Sequence, residues 1–306
     1  MVKSILLTGH TGFLGSVIYK SLLKEFVVYT LGRSEYCDYT IDFLNWDGRL
    51  ELKYPIDAIV HVAGLAHGKS ASEKDMLNVN YDTVTSLVKI SEILGVENFV
   101  FISSVAVYGK SFGSDIDELA ECRPDSVYGQ SKLNSEKHIL NWVMKDSKRR
   151  QISLRLPLVL GPNPPGNLGK LISSIQSGKH VFLKGNEGRK SVVFASDVAI
   201  FISNWLQNDV KKSGIVNLTC GEAPTFNWIE YSIQKLTGTR FFITFPVGLL
   251  WKIIVVLKNR LGVSIPILGK IFYPLTFSDQ LARNRFNYQS KELNQTNFIN
   301  ELNSNH

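Results

Sequence analysis

Three glycines at a fixed spacing do most to limit what this chain can become. Gly9, Gly12 and Gly15 fall in Gly9-His10-Thr11-Gly12-Phe13-Leu14-Gly15, directly after the apolar run Ser4-Ile5-Leu6-Leu7-Thr8 and directly before a helical pattern that reaches Leu22 and Leu23. A glycine-rich turn alone is weak evidence, but the passage from strand to helix is the context that a dinucleotide fingerprint requires. Each glycine then has a mechanical reason. Gly9 permits the tight turn, Gly12 lets a pyrophosphate approach the backbone, and Gly15 lets the helix pack closely on the strand.

The same alternation continues. Residues 27–31, 58–62 and 99–104 read as buried strands, and residues 72–94 and 126–144 as helices, the first of them ended by Gly95. Strands alternating with helices over residues 3–160 predict an α/β fold, a Rossmann-like doubly wound parallel sheet. We expect residues 1–160 to form the dinucleotide-binding domain and residues 161–306 a smaller α/β lobe, with strands free to interleave. The end of the second strand should meet the adenosine ribose. That slot reads Gly32-Arg33-Ser34, with no carboxylate for a ribose 2′-hydroxyl, and a guanidinium beside a hydroxyl suits the 2′-phosphate of NADP. The alternative is an Arg33 that stacks on adenine or points to solvent. Asp42 and Phe43 would sit near the adenine edge, and the small residues of His61-Val62-Ala63-Gly64 would let the backbone lie against the cofactor.

The candidate chemistry lies in Tyr128-Gly129-Gln130-Ser131-Lys132. Residues four apart share a helix face. A Tyr titrates near pKa ~10 and needs a neighbouring cation to exchange protons near neutrality, which Lys132 is placed to supply. Ser104, at the carboxyl end of its strand, lies where parallel sheets put their ligands and could donate to a substrate oxygen beside Tyr128. His61 and His67 read as structural or solvent-facing, and no third ligand completes a metal site.

The second half changes character, with a Pro/Gly-rich loop at residues 161–167, a short helix at 168–176, and two adjacent cations, Arg189 and Lys190. Helices near 197–206 and 227–236 flank a strand near 215–219. Residues 241–257 are strongly apolar, but Pro246 and Lys252 interrupt them short of the ~20 apolar residues of a spanning helix. A packed helix of the small lobe is the leading account, with a weak membrane-surface contact or a partner interface as alternatives. The Asn-rich end, 294–306, reads as frayed. The 306 residues are 44% hydrophobic and 20% charged, as in a soluble globular protein, and the net charge of +7 is dispersed. The one dense cationic cluster, 145–150, reads as a solvated helix end rather than a nucleic-acid patch. Cys37, Cys122 and Cys220 form neither a disulfide framework nor a metal cluster, which suits a reducing cytoplasm. No secretory signal precedes Val2-Lys3-Ser4.

Taken together, the pieces resemble the extended short-chain dehydrogenase/reductase family, and within it the nucleotide-sugar epimerase/dehydratase group. They are Thr8-Gly9-x-x-Gly12-Phe13-Leu14-Gly15, His61-Val62-Ala63-Gly64, Val79-Asn80, the run Ser103 to Gly109, Tyr128-x-x-x-Lys132, Arg155-Leu156-Pro157, Gly161-Pro162, Gly166-Asn167, and Arg189-Lys190-Ser191 with Asp197. The resemblance weakens beyond about residue 240. It implies a catalytic set of Ser104, Tyr128 and Lys132. It implies cofactor contacts from Gly9, Thr11, Gly12, Phe13, Leu14 and Gly15, and from Arg33, Asp42, Phe43, Ala63, Gly64 and Asn80, with Tyr128 and Lys132 at the nicotinamide end. Asn167 and either Arg189 or Lys190 would hold the substrate diphosphate.

In the 4,6-dehydratases an Asp-Glu pair follows the catalytic hydroxyl, because eliminating water takes an extra acid and base. Here those slots are Val105 and Ala106, so dehydratase chemistry is not expected. Two outcomes remain on one machinery: an NAD(P)-dependent C4 epimerase of a nucleotide-diphosphate hexose, or an NADPH-dependent 4-ketoreductase. The group resemblance favours the first and Arg33 the second, with the lean to epimerase. A non-catalytic NAD(P)-sensing protein and a membrane-surface assembly factor are the rivals from other classes. A homodimer through helices of the large lobe is expected by analogy.

Overall fold

The computed structural model describes residues 2–65, 72–208, 212–239, 243–246 and 272–304. Seven strands form one sheet in which every pairing is parallel. They are β1 (Ser4–Thr8), β2 (Val27–Gly32), β3 (Tyr39–Thr40), β4 (Ala58–His61), β5 (Asn98–Ser104), β7 (Arg150–Leu156) and β11 (Gly214–Asn217), in the order β11-β7-β5-β4-β1-β2-β3. The order runs one way from β1 through β2 and β3, and the other way from β4 outward. The β1/β4 boundary is therefore the switch point, where the carboxyl ends of an open parallel sheet leave a crevice for a ligand.

Ile5, Leu6, Leu7, Ala58, Ile59 and Val60 are fully buried, as strands covered by helices on both faces must be. Helix α1 (Phe13–Leu22) packs on α6 (Ala195–Gln207) over one face. On the other face, Val84, Leu87 and Val88 of α3 (Thr83–Leu94) and Ile139 and Trp142 of α4 (Val127–Met144) close a second cluster.

The helix expected over 72–94 is not continuous. α2 (Glu73–Leu77) passes into a π turn (Asn78–Asp82) before α3 begins, and a π turn inserts one residue per turn and re-aims the side chains it carries. Gly95 ends α3 at φ +69°, the left-handed conformation that glycine adopts without strain.

A third cluster lies beyond β8 (Leu158–Leu160), around α5 (Gly166–Gln176), β10 (Val192–Phe194) and α7 (Phe226–Thr237). β6 (Gly113–Ile116) pairs with β13 (Leu275–Phe277), and β9 (Val181–Lys184) with β12 (Ile243–Pro246). The apolar stretch 241–257 is thus a strand over 243–246, and the rest of it, with His67, lies outside the described residues.

The carboxyl-terminal segment is ordered, contrary to the sequence expectation of fraying. After α8 (Gln280–Phe286), helix α9 (Gln295–Asn303) starts on Asn294, whose side chain accepts from the Asn297 amide at 2.8 Å. Phe298 is fully buried in the third cluster. Glu301 accepts from both the amide and the hydroxyl of Ser196 at 2.8 Å, which caps the start of α6. A polar composition concealed an amphipathic helix. The cationic run 145–150 is solvated at Lys145 and Lys148, as expected, but not at its two arginines. Arg150 is buried at the start of β7, with its guanidinium 4.5 Å over the Trp205 ring, and Arg149 donates to the Trp142 carbonyl at 3.0 Å.

Candidate active site

Three consecutive residues at the carboxyl end of β5 engage three residues of α4 spaced one turn apart. The Ile102 carbonyl accepts from Lys132 Nζ at 2.9 Å, Ser103 Oγ donates to Glu136 Oε1 at 2.5 Å, and Ser104 shares a side-chain hydrogen bond with Tyr128. Positions 128, 132 and 136 lie on one helix face, so a single helix delivers all three groups. Ser126 caps that helix by accepting from the Gly129 amide at 3.2 Å. A Cβ at Gly129 would fall 2.6 Å from the Ala106 carbonyl oxygen, so glycine is what lets α4 start against the 3-10 turn Val105–Tyr108.

The proton affinities differ from the sequence expectation in one respect. Burial pushes the Tyr128 phenol above its ordinary value, and the hydrogen bond with Ser104 is what pulls it back. Lys132 Nζ stands 5.9 Å from the Tyr128 ring centroid and 4.7 Å over the Phe101 ring, and its hydrogen bond goes to Ile102 rather than to the phenol. Lys132 is itself buried, which lowers its pKa to about 8 against the opposing pull of Glu136.

His61 is fully buried and packs flat against Phe101, with 5.9 Å between ring centroids. Its Nδ1 lies 2.7 Å from Thr8 Oγ1, which accepts from the amides of Val62 and Ala63, both at 3.2 Å. The Thr8 hydrogen is therefore left for Nδ1, and this network assigns the ring proton to Nε2. Burial, and then the Lys132 charge, lower the His61 pKa to about 3. His61 is a neutral, buried partner of Thr8, whose hydroxyl holds the Val62 and Ala63 amides.

A cleft of about 940 Å³ runs from the glycine turn to Ser104, Tyr128 and Lys132. That is within the ~300–1,000 Å³ of small-molecule and cofactor sites. Gly9, Thr11, Gly12, Phe13, Leu14 and Gly15 are part of its lining. Arg33, Asp42 and Phe43 line its flank, and Ala63 and Gly64 its floor. Arg33 is exposed there, while the Asp42 carboxylate is engaged locally by the Leu44 amide at 3.2 Å and Asn45 Nδ2 at 2.7 Å.

The residues present fit a dinucleotide. Gly9 has φ +78°, and a Cβ on it would stand 2.6 Å from the Ala63 amide nitrogen; a Cβ on Gly15 would stand 1.9 Å from the Gly9 carbonyl oxygen. α1 begins at Gly12 with no capping side chain and no acid in its first turn, which leaves its amino end to an anion.

Four sequence-nominated residues do not line the cleft. Asn80 is fully buried and binds the Leu65 backbone instead, while its neighbour Val79 takes the cleft position. Asn167 is exposed in the first turn of α5, between the cleft-lining Pro165 and Leu168. Arg189 Nη1 donates to the Ala223 carbonyl at 2.8 Å and Lys190 Nζ to the Tyr273 carbonyl at 2.5 Å. Both sit in short bridges, to Thr225 and Leu275, that hold this pair along the lobe. The sequence reading missed Glu136. Its signal was an acid at the third position of the Tyr128, Lys132 face.

The match to the NAD dependent epimerase/dehydratase family model spans residues 5–219, and so takes in the glycine turn, the β5–α4 contacts and β11. The chain belongs to that family. A relative in Escherichia coli O157:H7, N-acetyl-alpha-D-glucosaminyl-diphospho-ditrans,octacis-undecaprenol 4-epimerase, is 24% identical over 262 residues, 82% of this chain and 78% of its own. MoeE5, solved in complex with UDP-glucose and NAD, superposes with TM-score 0.76 at 20% identity over 97% of both chains. RMD from Pseudomonas aeruginosa, solved with NADPH, superposes at 0.74 with 16% identity over 98% of both. This member of the family thus has the fold of proteins solved with either nicotinamide cofactor.

Proposed function

We propose that this family member is an NAD(P)-dependent C4 epimerase of a hexose carried on a nucleotide diphosphate. The observation that carries the reading is the Tyr128–Ser104 hydrogen bond in the lining of the same cleft as the glycine turn, with Lys132 beside it. When bound, the nicotinamide would supply the hydride acceptor and donor.

The residues of the chain account for the remainder. Gly9, Gly12 and Gly15 hold the pyrophosphate against the start of α1, and Ala63 and Gly64 admit the cofactor against the 62–65 backbone. Ser104 positions the sugar O4 by a hydrogen bond; Tyr128, as the phenolate that the Lys132 charge favours, takes the O4 proton as the C4–H bond breaks, and returns it as that bond re-forms on the opposite face of the sugar. A general acid–base group of this kind contributes about 10²–10⁴-fold. Lys132 supplies positive charge beneath the site. Val105 and Ala106 cannot transfer a proton, which argues against elimination of water.

A second reading, an NADPH-dependent reductase of a nucleotide-linked 4-keto sugar, is favoured by Arg33 and Ser34, both in the cleft lining. Two acids near that flank are already engaged: Asp38 by the amide and hydroxyl of Thr30, both at 2.8 Å, and Asp42 by the Leu44 amide at 3.2 Å and Asn45 Nδ2 at 2.7 Å. Denaturing the purified chain and identifying the released cofactor separates the two. Retained NAD with interconversion of UDP-sugar C4 epimers supports the epimerase, and NADPH-dependent consumption of a 4-keto sugar the reductase. Neither activity over a panel of nucleotide sugars would overturn both.

A further inference from the structure

The Arg155–Glu136 pair is one of the best-enclosed ion pairs among the described residues, and the acid–base assignment leaves it unused. Glu136 is fully buried; Arg155 Nη2 donates to its Oε2 at 2.7 Å and Arg155 Nε to its Oε1 at 3.0 Å. Arg155 lies with its guanidinium 4.9 Å over the Tyr108 ring, whose hydroxyl donates to Asn217 Oδ1 at 2.8 Å. A buried pair of this kind is weak evidence for stability, because apolar groups of similar volume often serve as well. Its location asks for another reason.

We infer that Glu136, clamped between Ser103 and Arg155, is a positioning residue for the hydride-transfer site: it seats α4 on the end of β5 and sets a negative charge one helical turn from Lys132. The inference rests on the function proposed above. The geometry is a three-rung seam, Tyr128 on Ser104, Lys132 on Ile102 and Glu136 on Ser103, in which Glu136 is the rung bolted to a second strand through Arg155. Among the described residues around Lys132, no other group gives it a counter-charge. β5 offers a carbonyl and the Phe101 face, β4 offers the neutral His61, and the π turn offers Asn80, whose Oδ1 lies with Lys132 Nζ against Gly64. On α4 itself Tyr128 is held protonated by burial. Arg155 on β7 carries the same sign as Lys132, and Glu118 faces Asn217 and Arg155. Glu136 is the acid that works against burial to keep Lys132 charged.

The test reads Lys132 directly. In the ligand-free, 15N-lysine-labelled chain, the Nζ resonance is assigned by its loss in Lys132→Met and followed against pH, with a midpoint expected near 8. In Glu136→Gln, which keeps an acceptor for Ser103, the midpoint should fall by about one pH unit, a tenfold change in the proton equilibrium. Turnover at pH 7 should fall about twofold with the sugar KM nearly unchanged, because the charged fraction of Lys132 drops from about nine-tenths to about one half. An unmoved midpoint in a folded Glu136→Gln chain overturns the inference. If that variant does not fold, Glu136→Gln with Arg155→Met removes both charges; loss of the like charge of Arg155 offsets part of the effect, so a smaller fall of the midpoint is required of it and an unmoved one overturns the inference. Because the titration needs neither cofactor nor sugar, absent activity on nucleotide sugars would defeat the proposed function, while the midpoint alone decides this inference.

Discussion

Asn80 holds Leu65 by both of its backbone groups, Oδ1 accepting from the amide at 2.7 Å and Nδ2 donating to the carbonyl at 3.0 Å. The π turn that carries this buried side chain also gives Val79 to the cleft lining, so one turn both fixes the Leu65 backbone and lines the cleft. Asn80→Ala should therefore weaken cofactor binding without touching the cofactor, and should cost about 1–3 kcal/mol of stability, as for other buried polar groups left unpaired. Calorimetric titration and denaturant unfolding on the same samples check both halves.

Tyr128→Phe removes the proton-carrying hydroxyl and leaves the ring. Turnover should fall about 10²–10⁴-fold. Cofactor affinity should stay within about twofold, because the glycine turn and the 62–65 floor are untouched, an effect well under the ~1.4 kcal/mol of a tenfold change. A variant that works nearly as well as the parent would remove Tyr128 from the chemistry.

Arg33 stands exposed on the cleft flank, where the Asp42 carboxylate is engaged by the Leu44 amide and Asn45 Nδ2. Arg33→Asp should reverse a preference for NADP over NAD, since a carboxylate repels a 2′-phosphate and accepts from a 2′-hydroxyl. The ratio of the two dissociation constants, before and after, is the measurement. A parent chain that does not prefer NADP would refute this role for Arg33.

Gly15→Ala would put a methyl group 1.9 Å from the Gly9 carbonyl oxygen and 2.7 Å from its carbon, both of them backbone. α1 must then lift from the turn. We expect a loss of about 1–3 kcal/mol, as for overpacking elsewhere, together with loss of cofactor binding. Thermal unfolding with and without cofactor reads both.

Asp197, buried at the start of α6, accepts from the Lys291 amide at 2.9 Å, and burial raises its pKa from 3.8 to about 6. The folded chain therefore binds the proton more tightly than the unfolded one. The resulting stability is full below about pH 4 and is lost as the pH climbs through 6. Asp197→Asn keeps an acceptor for Lys291 and removes the titration, so it should flatten this dependence. Above pH 6 it should be the more stable chain, by up to about 3 kcal/mol at ~1.4 kcal/mol per pH unit. Urea unfolding from pH 3.5 to 7.5 follows the difference.

The sheet was legible because its strands are short, apolar and punctuated by glycine, and β1 and β4 form where such runs stand. Tyr128, Lys132 and Ser104 were legible because helical spacing and a strand end are local signals. Glu136 was not, since its partners Ser103 and Arg155 lie on two other strands and only the folded sheet brings them beside it. The bonds of Arg189 to the Ala223 carbonyl and of Lys190 to the Tyr273 carbonyl were not legible for the same reason, since both acceptors lie far along the chain. α9 escaped notice because its apolar positions, Phe298 and Leu302, are few and sit among asparagines.

The parallel order of the sheet has a consequence for how the chain reaches its native state. Ile5 lies opposite Ala58, Val100 opposite Ile152, and Ile152 opposite Gly214, so these three pairings each close a loop of about fifty residues or more. Topologies built from such distant contacts acquire their structure slowly. Because Glu136 anchors through Arg155 as well as Ser103, α4 can settle only once β5 and β7 are side by side. Refolding followed by an optical probe on α4 should therefore lag the burst of helix formation and keep pace with the return of cofactor binding.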